Sequence, residues 1–121
     1  MAIHNELGKK GEEVARQFLS LHGFRILETN KRFGKKEIDI LSEKDNVIRI
    51  VEVKTTREGS FISPEDNFTK DKLQNLKYVL NLLESSEKFA AMRLQVDFLS
   101  VKVNLHTKEA VCRLVQNIDL N

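Results

Sequence analysis

Residues 37–54 read EIDILSEKDNVIRIVEVK, which is two apolar, β-branched segments joined by a polar turn. Their alternation predicts two antiparallel strands, Glu37 to Ser42 and Val47 to Lys54. Each strand carries a carboxylate, Asp39 or Glu52, where a core strand normally carries an apolar side chain. Because buried charge is costly unless it is paired or bound to a metal, this hairpin is expected to carry a functional site.

The spacing of these charges indicates one site. Residues two apart in a strand share a face, so Glu52 and Lys54 lie together at the end of the second strand. With the turn centred near residues 44–45, Asp39 is expected roughly opposite residue 50 or 51. Glu52 is then a direct or diagonal neighbour, within the roughly 7–8 Å that separates diagonal partners. The alternative is a solvated hairpin end with a cross-strand ion pair, which Glu-x-Lys without the paired Asp39 would favour.

Two carboxylates and a lysine are the minimum set for a divalent-metal phosphodiesterase site. Mg²⁺, or Mn²⁺ in its place, prefers carboxylate oxygens plus several waters and leaves positions open for phosphate. We therefore predict Asp39, Glu52 and the backbone carbonyl of Val53 as the metal ligands. Lys54 would hold or polarise the attacking water and offset the charge that builds on phosphorus. The role of Glu37 stays open.

The remaining patterns place this hairpin in a small mixed α/β domain. Helices are expected from about Glu6 to His22, ended by Gly23, and from a cap at Thr69 or a neighbour to about Leu83, with Leu73, Leu76, Leu80 and Leu83 on one stripe. Further strands are expected at Phe24 to Thr29, Gln95 to Val103 and Ala110 to Val115. A long connection, Thr55 to Phe68, carries a helix-start signal at Ser63-Pro64. The order is α-β-β-β-α-β-β, and residues 1–121 suffice for a single domain.

The first helix offers a third carboxylate. Projected at roughly 100° per residue, it has an apolar arc and an adjoining edge. The arc consists of Leu7, Val14, Phe18 and Leu21, and the edge of Gly8, Gly11, Ala15 and Leu19. Glu12 falls on that edge, where the two glycines would let the helix approach the sheet, whereas Glu13 points away. Glu12 could therefore assist the metal site, although an ordinary first-turn acid favoured by the helix dipole explains it equally well.

Several short motifs follow one another in a fixed order. They are Gly8-x-x-Gly11-Glu12-x-x-Ala15, Phe24-x-Ile26-Leu27-x-x-Asn30, Glu37-Ile38-Asp39-Ile40, Val51-Glu52-Val53-Lys54, Lys70-x-x-Leu73 and Asp97-x-x-Ser100-Val101. This set, which spans nearly the whole chain, resembles the bacterial YraN-like family of uncharacterised proteins. One position departs from the family pattern: Lys36 stands directly before Glu37, where the family commonly has Gly.

The resemblance implies a fold and a set of roles. The YraN-like family is placed in the restriction-endonuclease-like superfamily, with its PD-D/E-x-K core, and is similar in layout to Holliday-junction resolvases. By this resemblance, Asp39 and Glu52 are metal ligands, Lys54 is the catalytic lysine and Glu12 is the helix carboxylate. Resolvase-like relatives also suggest a homodimer, which would help so small a domain to cover a duplex.

Basic and polar residues flank the expected site. The candidate nucleic-acid contacts are Lys31, Arg32, Lys35, Lys36, Thr55, Arg57, Lys70, Gln74 and Lys77. The first four are expected in a loop around Phe33, a residue that either stacks on a base or anchors the core. The last three share a helix stripe, which either tracks a phosphate backbone or forms the wet edge of an amphipathic helix.

Composition excludes several other classes of function. With 40% hydrophobic and 31% charged residues and a net charge of +2, the chain is typical of a globular domain. Its histidines have no partner at ligand spacing, which argues against zinc. Its one cysteine cannot form a disulfide within the chain, and no apolar run reaches membrane-spanning length. We therefore expect a cytoplasmic setting.

These observations predict a Mg²⁺- or Mn²⁺-dependent nuclease-like protein whose partner is nucleic acid, with DNA favoured over RNA. Branched or otherwise structured DNA is the candidate substrate. The alternative is a non-catalytic nucleic-acid-binding protein on the same fold. A third interpretation is a scaffold that pairs with a partner protein through its edge strands or its leucine-rich helix.

Overall fold

A five-stranded mixed sheet forms the centre of the computed structural model, which describes residues 2–57 and 63–121. The strands, in their order across the sheet, are β1 (Arg25–Phe33), β2 (Lys36–Lys44), β3 (Val47–Thr56), β4 (Arg93–Val103) and β5 (Ala110–Val115). The helices are α1 (Ala2–Leu21), α2 (Pro64–Asn67), α3 (Lys70–Ser85) and a 3-10 helix, Glu87–Phe89. The predicted mixed α/β class and order α-β-β-β-α-β-β are confirmed, with α2 and the 3-10 helix as short additions.

The two long helices pack on opposite faces of the sheet. Strands β3 and β4 run parallel while every other neighbouring pair is antiparallel, and the crossover that a parallel pair needs contains α3. The core on the α1 side includes Ala15, Leu19, Val51, Leu99 and Val101. The core on the α3 side includes Ile48, Ile50, Leu76, Val79 and Phe98. Since neighbouring strand residues face opposite ways, the three central strands β2, β3 and β4 each contribute to both cores.

The connection between β3 and α3 begins after Thr56, two residues later than expected, and it contains the helix start that the sequence indicates. The hydroxyl of Ser63 accepts a hydrogen bond from the N–H of Asp66 at the start of α2, and Thr69 caps α3 in the same way through the N–H of Lys72. Residues 58–62 of the expected long connection lie outside the described residues. No helix among the described residues is both long and apolar enough to cross a membrane.

The turn between β2 and β3 is tighter than expected. Asp45 and Asn46 both have positive φ, at 56° and 62°, and they form a two-residue hairpin loop. The turn therefore centres on residues 45–46, and Val51 pairs with Ile40. The expectation that Asp39 lies opposite residue 50 or 51 was wrong by one position, because Asp and Asn tolerate the left-handed conformation that closes the shorter loop.

The basic segment before β2 is a strand rather than the expected loop. Lys31 pairs with Ile38 and Arg32 with Glu37, so β1 continues to Phe33. Only Gly34, with φ of 66°, and Lys35 remain as a turn. The polar sequence concealed this pairing because an edge strand with exposed residues carries little apolar alternation.

Helix α1 contacts the sheet partly through residues with small side chains. Ala15 and Leu19, assigned to the edge of the apolar arc, are fully buried, whereas Leu21, assigned to the arc itself, is 84% exposed. A Cβ added to Gly11 would lie 1.8 Å from the Thr55 hydroxyl oxygen. The helix therefore turns its smallest residues to the sheet and approaches it closely, which a projection weighted by large side chains does not reveal.

A buried charge network connects β3, β4 and the C-terminal segment. Arg49 Nη1 lies 3.2 Å from Asp97 Oδ2, and both side chains are almost fully buried. The other Asp97 oxygen accepts hydrogen bonds from the Gln95 amide and from the backbone N–H of Asn117. The carboxylate is satisfied by these partners, so Asp97 attaches the C-terminal segment to β4 and takes no part in the site described below.

Gly11→Ala is expected to lower the free energy of unfolding by about 1–3 kcal/mol, because the new methyl group forces α1 away from Thr55. Gly8→Ala on the same helix is the matched control, since a Cβ there meets nothing within 4 Å. This control should be neutral or stabilising by up to about 1 kcal/mol, because Ala favours helix over Gly. Urea unfolding midpoints measure both, and equal effects of the two substitutions would contradict the close approach.

Candidate active site

Asp39 and Glu52 meet where the β2–β3 ladder ends. Ile40 and Val51 form the last backbone pair. Beyond it, the N–H of Asp39 donates to Glu52 Oε2 at 3.2 Å, and the N–H of Val53 donates to Asp39 Oδ2 at 2.8 Å. Each carboxylate thus accepts a backbone hydrogen bond from the opposite strand, in the place where a backbone carbonyl would otherwise accept.

This arrangement follows from the topology of the sheet. Past Asp39, β2 continues in register with β1, with Ile38 opposite Lys31. Past Val51, β3 continues in register with β4, with Glu52 opposite Phe98. The two central strands each keep only their outer partner, and the carboxylates occupy the gap that opens between them.

The two acids are electrostatically coupled in this gap. Burial, and then the neighbouring charge of Asp39, raises the pKa of Glu52 from its ordinary 4.5 to about 7. Burial also raises the pKa of Asp39, while the hydrogen bond from Val53 opposes that rise. Glu52 is only 5% exposed. A site that makes both carboxylates hard to ionise together is one that a cation would stabilise.

One hollow, of about 280 Å³, opens beside Asp39 under α1. Its lining comprises Leu7, Gly8, Glu12, Asp39, Val53, Lys54 and Thr55. The structure therefore brings together five of the residues that the sequence assigns to the site, including the helix carboxylate and the lysine of Glu-x-Lys. Glu12 lies near enough for its charge to raise the pKa of Asp39, and the side chain of Lys54 is exposed.

A second hollow, of about 300 Å³, opens beside Glu52 under α3. It is lined by Lys35, Lys36, Glu37, Ile38, Glu52, Lys72, Asn75, Leu76 and Val79. Lys72 Nζ lies 3.9 Å from Glu52 Oε1, and its charge opposes the rise in the pKa of both acids. Sequence reasoning did not single out Lys72.

A signal for Lys72 was present in the helix pattern. The buried residues of α3 are Leu76, Val79 and Leu83. Leu76 and Leu83 of the expected stripe are thus buried, whereas Leu73 and Leu80 are only half-buried. Extending the buried set back by four residues leads to Lys72. A cation in line with the core-facing stripe, one turn after a helix cap, identifies a side chain directed at the sheet.

The other predicted contacts lie outside both hollows. Lys70, Gln74 and Lys77 are exposed along one side of α3. Arg57 lines a separate hollow with Val103, Leu105 and His106. Arg32 is exposed on β1, and Lys31 Nζ is 3.4 Å from Glu28 Oε1. Their assignment to nucleic acid stays a prediction.

The donor set suits Mg²⁺ or Mn²⁺ bound by few protein ligands and several waters, and not an ion that is coordinated by protein groups alone. Within residues 2–57 and 63–121, no group of three or more His, Cys, Asp or Glu residues is placed to hold a metal ion. Mg²⁺ usually takes one or two carboxylates and keeps several waters, and Asp39 with Glu52 offers that set. Their hydrogen bonds to Val53 and Asp39 use one oxygen of each carboxylate, Oδ2 and Oε2.

The chain is similar to members of one protein family. A family model described as "Uncharacterised protein family UPF0102" matches residues 11–103. A UPF0102 protein of Flavobacterium psychrophilum is 48% identical over 81 residues, which is 67% of this chain and 68% of the relative. A UPF0102 protein of Caldicellulosiruptor saccharolyticus is 34% identical over 112 residues, which is 93% of this chain and 95% of the relative.

One solved structure, that of Pyrococcus furiosus SfsA in complex with Ca²⁺, has a distant similarity to the chain. The match covers 91% of this chain and 62% of SfsA, with 16% sequence identity and a TM-score of 0.45. A similarity this low carries no argument about the site.

The raised pKa of Glu52 predicts a stability that falls with pH in the presence of a chelator. Between pH 4.5 and about 7 the unfolded chain releases this proton while the folded chain retains it, so rising pH favours unfolding. Glu52→Gln keeps an acceptor for the Asp39 N–H and removes the charge. It should therefore be more stable than the wild type at pH 8, by up to about 3 kcal/mol, with a difference that vanishes toward pH 4.5.

Chemical denaturation in EDTA at the two pH values measures this difference. Glu13→Gln, at an exposed residue of α1, is the matched control and should change stability by less than about 0.5 kcal/mol at either pH. A Glu52→Gln effect of the same size at both pH values would contradict the electrostatic account.

Proposed function

The chain belongs to the uncharacterised protein family UPF0102, and from this premise we propose that it is a Mg²⁺- or Mn²⁺-dependent nuclease-like protein. The reaction is hydrolysis of phosphodiester bonds in DNA, with branched or otherwise structured DNA as the candidate substrate. One observation carries the proposal: Asp39 and Glu52 face each other in the gap between β2 and β3, with Lys54 and Glu12 lining the hollow beside Asp39.

Each residue has a role that its position supports. Asp39, Glu52 and the backbone carbonyl of Val53 would hold the ion. When bound, the ion would supply a Lewis acid that stabilises charge on the phosphate oxygens and lowers the pKa of water. The Lys54 ammonium, exposed at the hollow, would hold the attacking water and offset charge on the phosphorus. Glu12 would accept a hydrogen bond from that water.

The electrostatics of the pair support cation binding. A metal binds the ionised form of a carboxylate, so its affinity includes the free energy of deprotonation. With Asp39 and Glu52 both raised in pKa, metal affinity is expected to rise with pH up to neutrality. A divalent ion would stabilise the ionised carboxylates, which burial, and for Glu52 also the charge of Asp39, makes costly.

A second function has its own supporting observation. Each carboxylate accepts a backbone N–H from the opposite strand, so the pair can stabilise the hairpin end without a metal. The chain would then be a non-catalytic nucleic-acid-binding protein that uses its basic side chains alone.

Two further parts of the proposal concern the setting of the protein. A homodimer would let two such sites act on the two strands of a duplex. The half-buried thiol of Cys112, whose pKa is raised by burial, would remain reduced in the cytoplasm. Both stay predictions.

Calorimetric titration with Mn²⁺ tests the metal site. The wild type should bind the ion, and Asp39→Asn and Glu52→Gln should each weaken binding by at least about tenfold. These amide variants keep an oxygen acceptor for the backbone N–H groups, so a loss of affinity would not reflect a lost hairpin. Glu13→Gln is the control and should bind as the wild type does.

Cleavage assays on linear, single-stranded, flap and four-way-junction DNA, with an RNA counterpart, test the reaction. Lys54→Ala should retain Mn²⁺ binding and lose roughly 100-fold or more in cleavage rate. Absence of metal binding, together with no effect of Asp39→Asn on any substrate, would refute the nuclease. Salt-sensitive DNA binding that survives Asp39→Asn and yields no product would favour the non-catalytic alternative.

A further inference from the structure

The hollow beside Glu52 brings together cations from two distant parts of the sequence. Lys35 comes from the turn between β1 and β2, Lys36 is the first residue of β2, and Lys72 comes from the first turn of α3. The amide of Asn75 adds a further hydrogen-bond donor to the lining. Four groups that can donate hydrogen bonds to an anion therefore line one hollow, although some 35 residues of chain separate the lysine pair from α3.

Aromatic rings hold two of these lysines in place. Lys36 Nζ lies 5.3 Å from the ring centroid of Tyr78. This contact connects the start of β2 to α3. Lys72 Nζ lies 5.6 Å from the ring centroid of Phe68 and 3.9 Å from Glu52 Oε1. Such cation–π contacts orient an ammonium group without neutralising its charge.

The chemistry of the lining suits a phosphate. Three ammonium groups face two carboxylates, Glu37 and Glu52, so the hollow keeps a net positive charge when both acids are ionised. The buried side chains Ile38, Leu76 and Val79 form its apolar wall. Its volume of about 300 Å³ is at the lower end of pockets that hold small ligands.

The hollow also lies next to the proposed reaction centre. Glu52 lines this hollow, and the hydrogen bond from the Asp39 N–H joins it to the residue that lines the hollow under α1. Because Glu52 belongs both to the proposed metal site and to this hollow, a strand bound at the metal site would pass beside the lysines.

We propose that this hollow is a phosphate-binding subsite for a nucleic-acid strand, formed by Lys35, Lys36, Lys72 and Asn75. The inference rests on the proposed function for the identity of its ligand and deepens it by stating where the strand lies. Lys72 binds the strand directly and pairs with Glu52 when no strand is bound. Contacts of this kind read no base sequence.

Fluorescence anisotropy with a labelled single-stranded oligonucleotide in EDTA tests the subsite without any metal. The variants are Lys72→Gln and the double variant Lys35→Gln/Lys36→Gln. Each lost phosphate contact should reduce the slope of log K against log salt by about 0.7. Affinity at low salt should fall by about tenfold for the double variant.

Matched controls separate the subsite from general charge effects. Lys88→Gln and the double variant Lys88→Gln/Lys108→Gln remove the same charge from exposed positions outside the hollow and should leave the slope unchanged. Lys72→Arg keeps the charge and should retain the slope of the wild type, which excludes misfolding as the cause of a Lys72→Gln loss.

The outcomes are distinguishable from those of the metal experiments. A slope lost in the hollow variants and kept in the controls supports the subsite even if Mn²⁺ does not bind. Equal losses in both sets, or no loss in the hollow variants, would overturn it even if the protein cleaves DNA.

Discussion

The separation of β2 from β3 just beyond Ile40 and Val51 is the constraint on which the site depends. Each strand keeps a partner on its outer side, so the backbone N–H groups of Asp39 and Val53 find their acceptors in side chains rather than in a neighbouring strand. The two acceptors are carboxylates in a place largely withdrawn from water. The topology that satisfies the backbone therefore also brings two acids together, where burial, and for Glu52 also the charge of Asp39, makes them costly to ionise.

Two lysine side chains approach the acid pair from opposite faces of the sheet. Lys72 reaches Glu52 from α3, while the hollow beside Asp39 carries Lys54 and the third acid, Glu12. Within a regular strand, each side chain lies on one face of the sheet. The Asp39–Glu52 pair is accessible from both faces because the regular β2–β3 pairing has ended at this point. Under the proposed function, substrate binding through lysines and chemistry through carboxylates would use separate hollows on either side of the Asp39–Glu52 pair.

Sequence reasoning recovered the parts of this arrangement that depend on short-range patterns. Alternation located the two strands and put Asp39 within reach of Glu52, and capping chemistry located the start of α3 at Thr69. It failed where the deciding factor was a contact distant in sequence. The place of α1 is set by the missing side chain of Gly11 against Thr55, and Lys72 acquires its role only because α3 packs across Glu52. The register error arose from two residues at positive φ, which alternation cannot detect.

The purely structural account of the carboxylate pair leaves one fact unexplained. Asn at position 39 and Gln at position 52 could accept the same backbone hydrogen bonds without the free-energy cost of ionising two neighbouring acids. The pKa of Glu52, which burial and then the charge of Asp39 raise to about 7, reflects part of this cost. A fold under selection for stability alone would favour the amides. Buried acids that are costly to ionise, beside a hollow lined by further charged groups, are typical of sites where a bound ligand lowers that cost. The arrangement of the pair therefore argues for a cation-binding role in addition to its support of the hairpin.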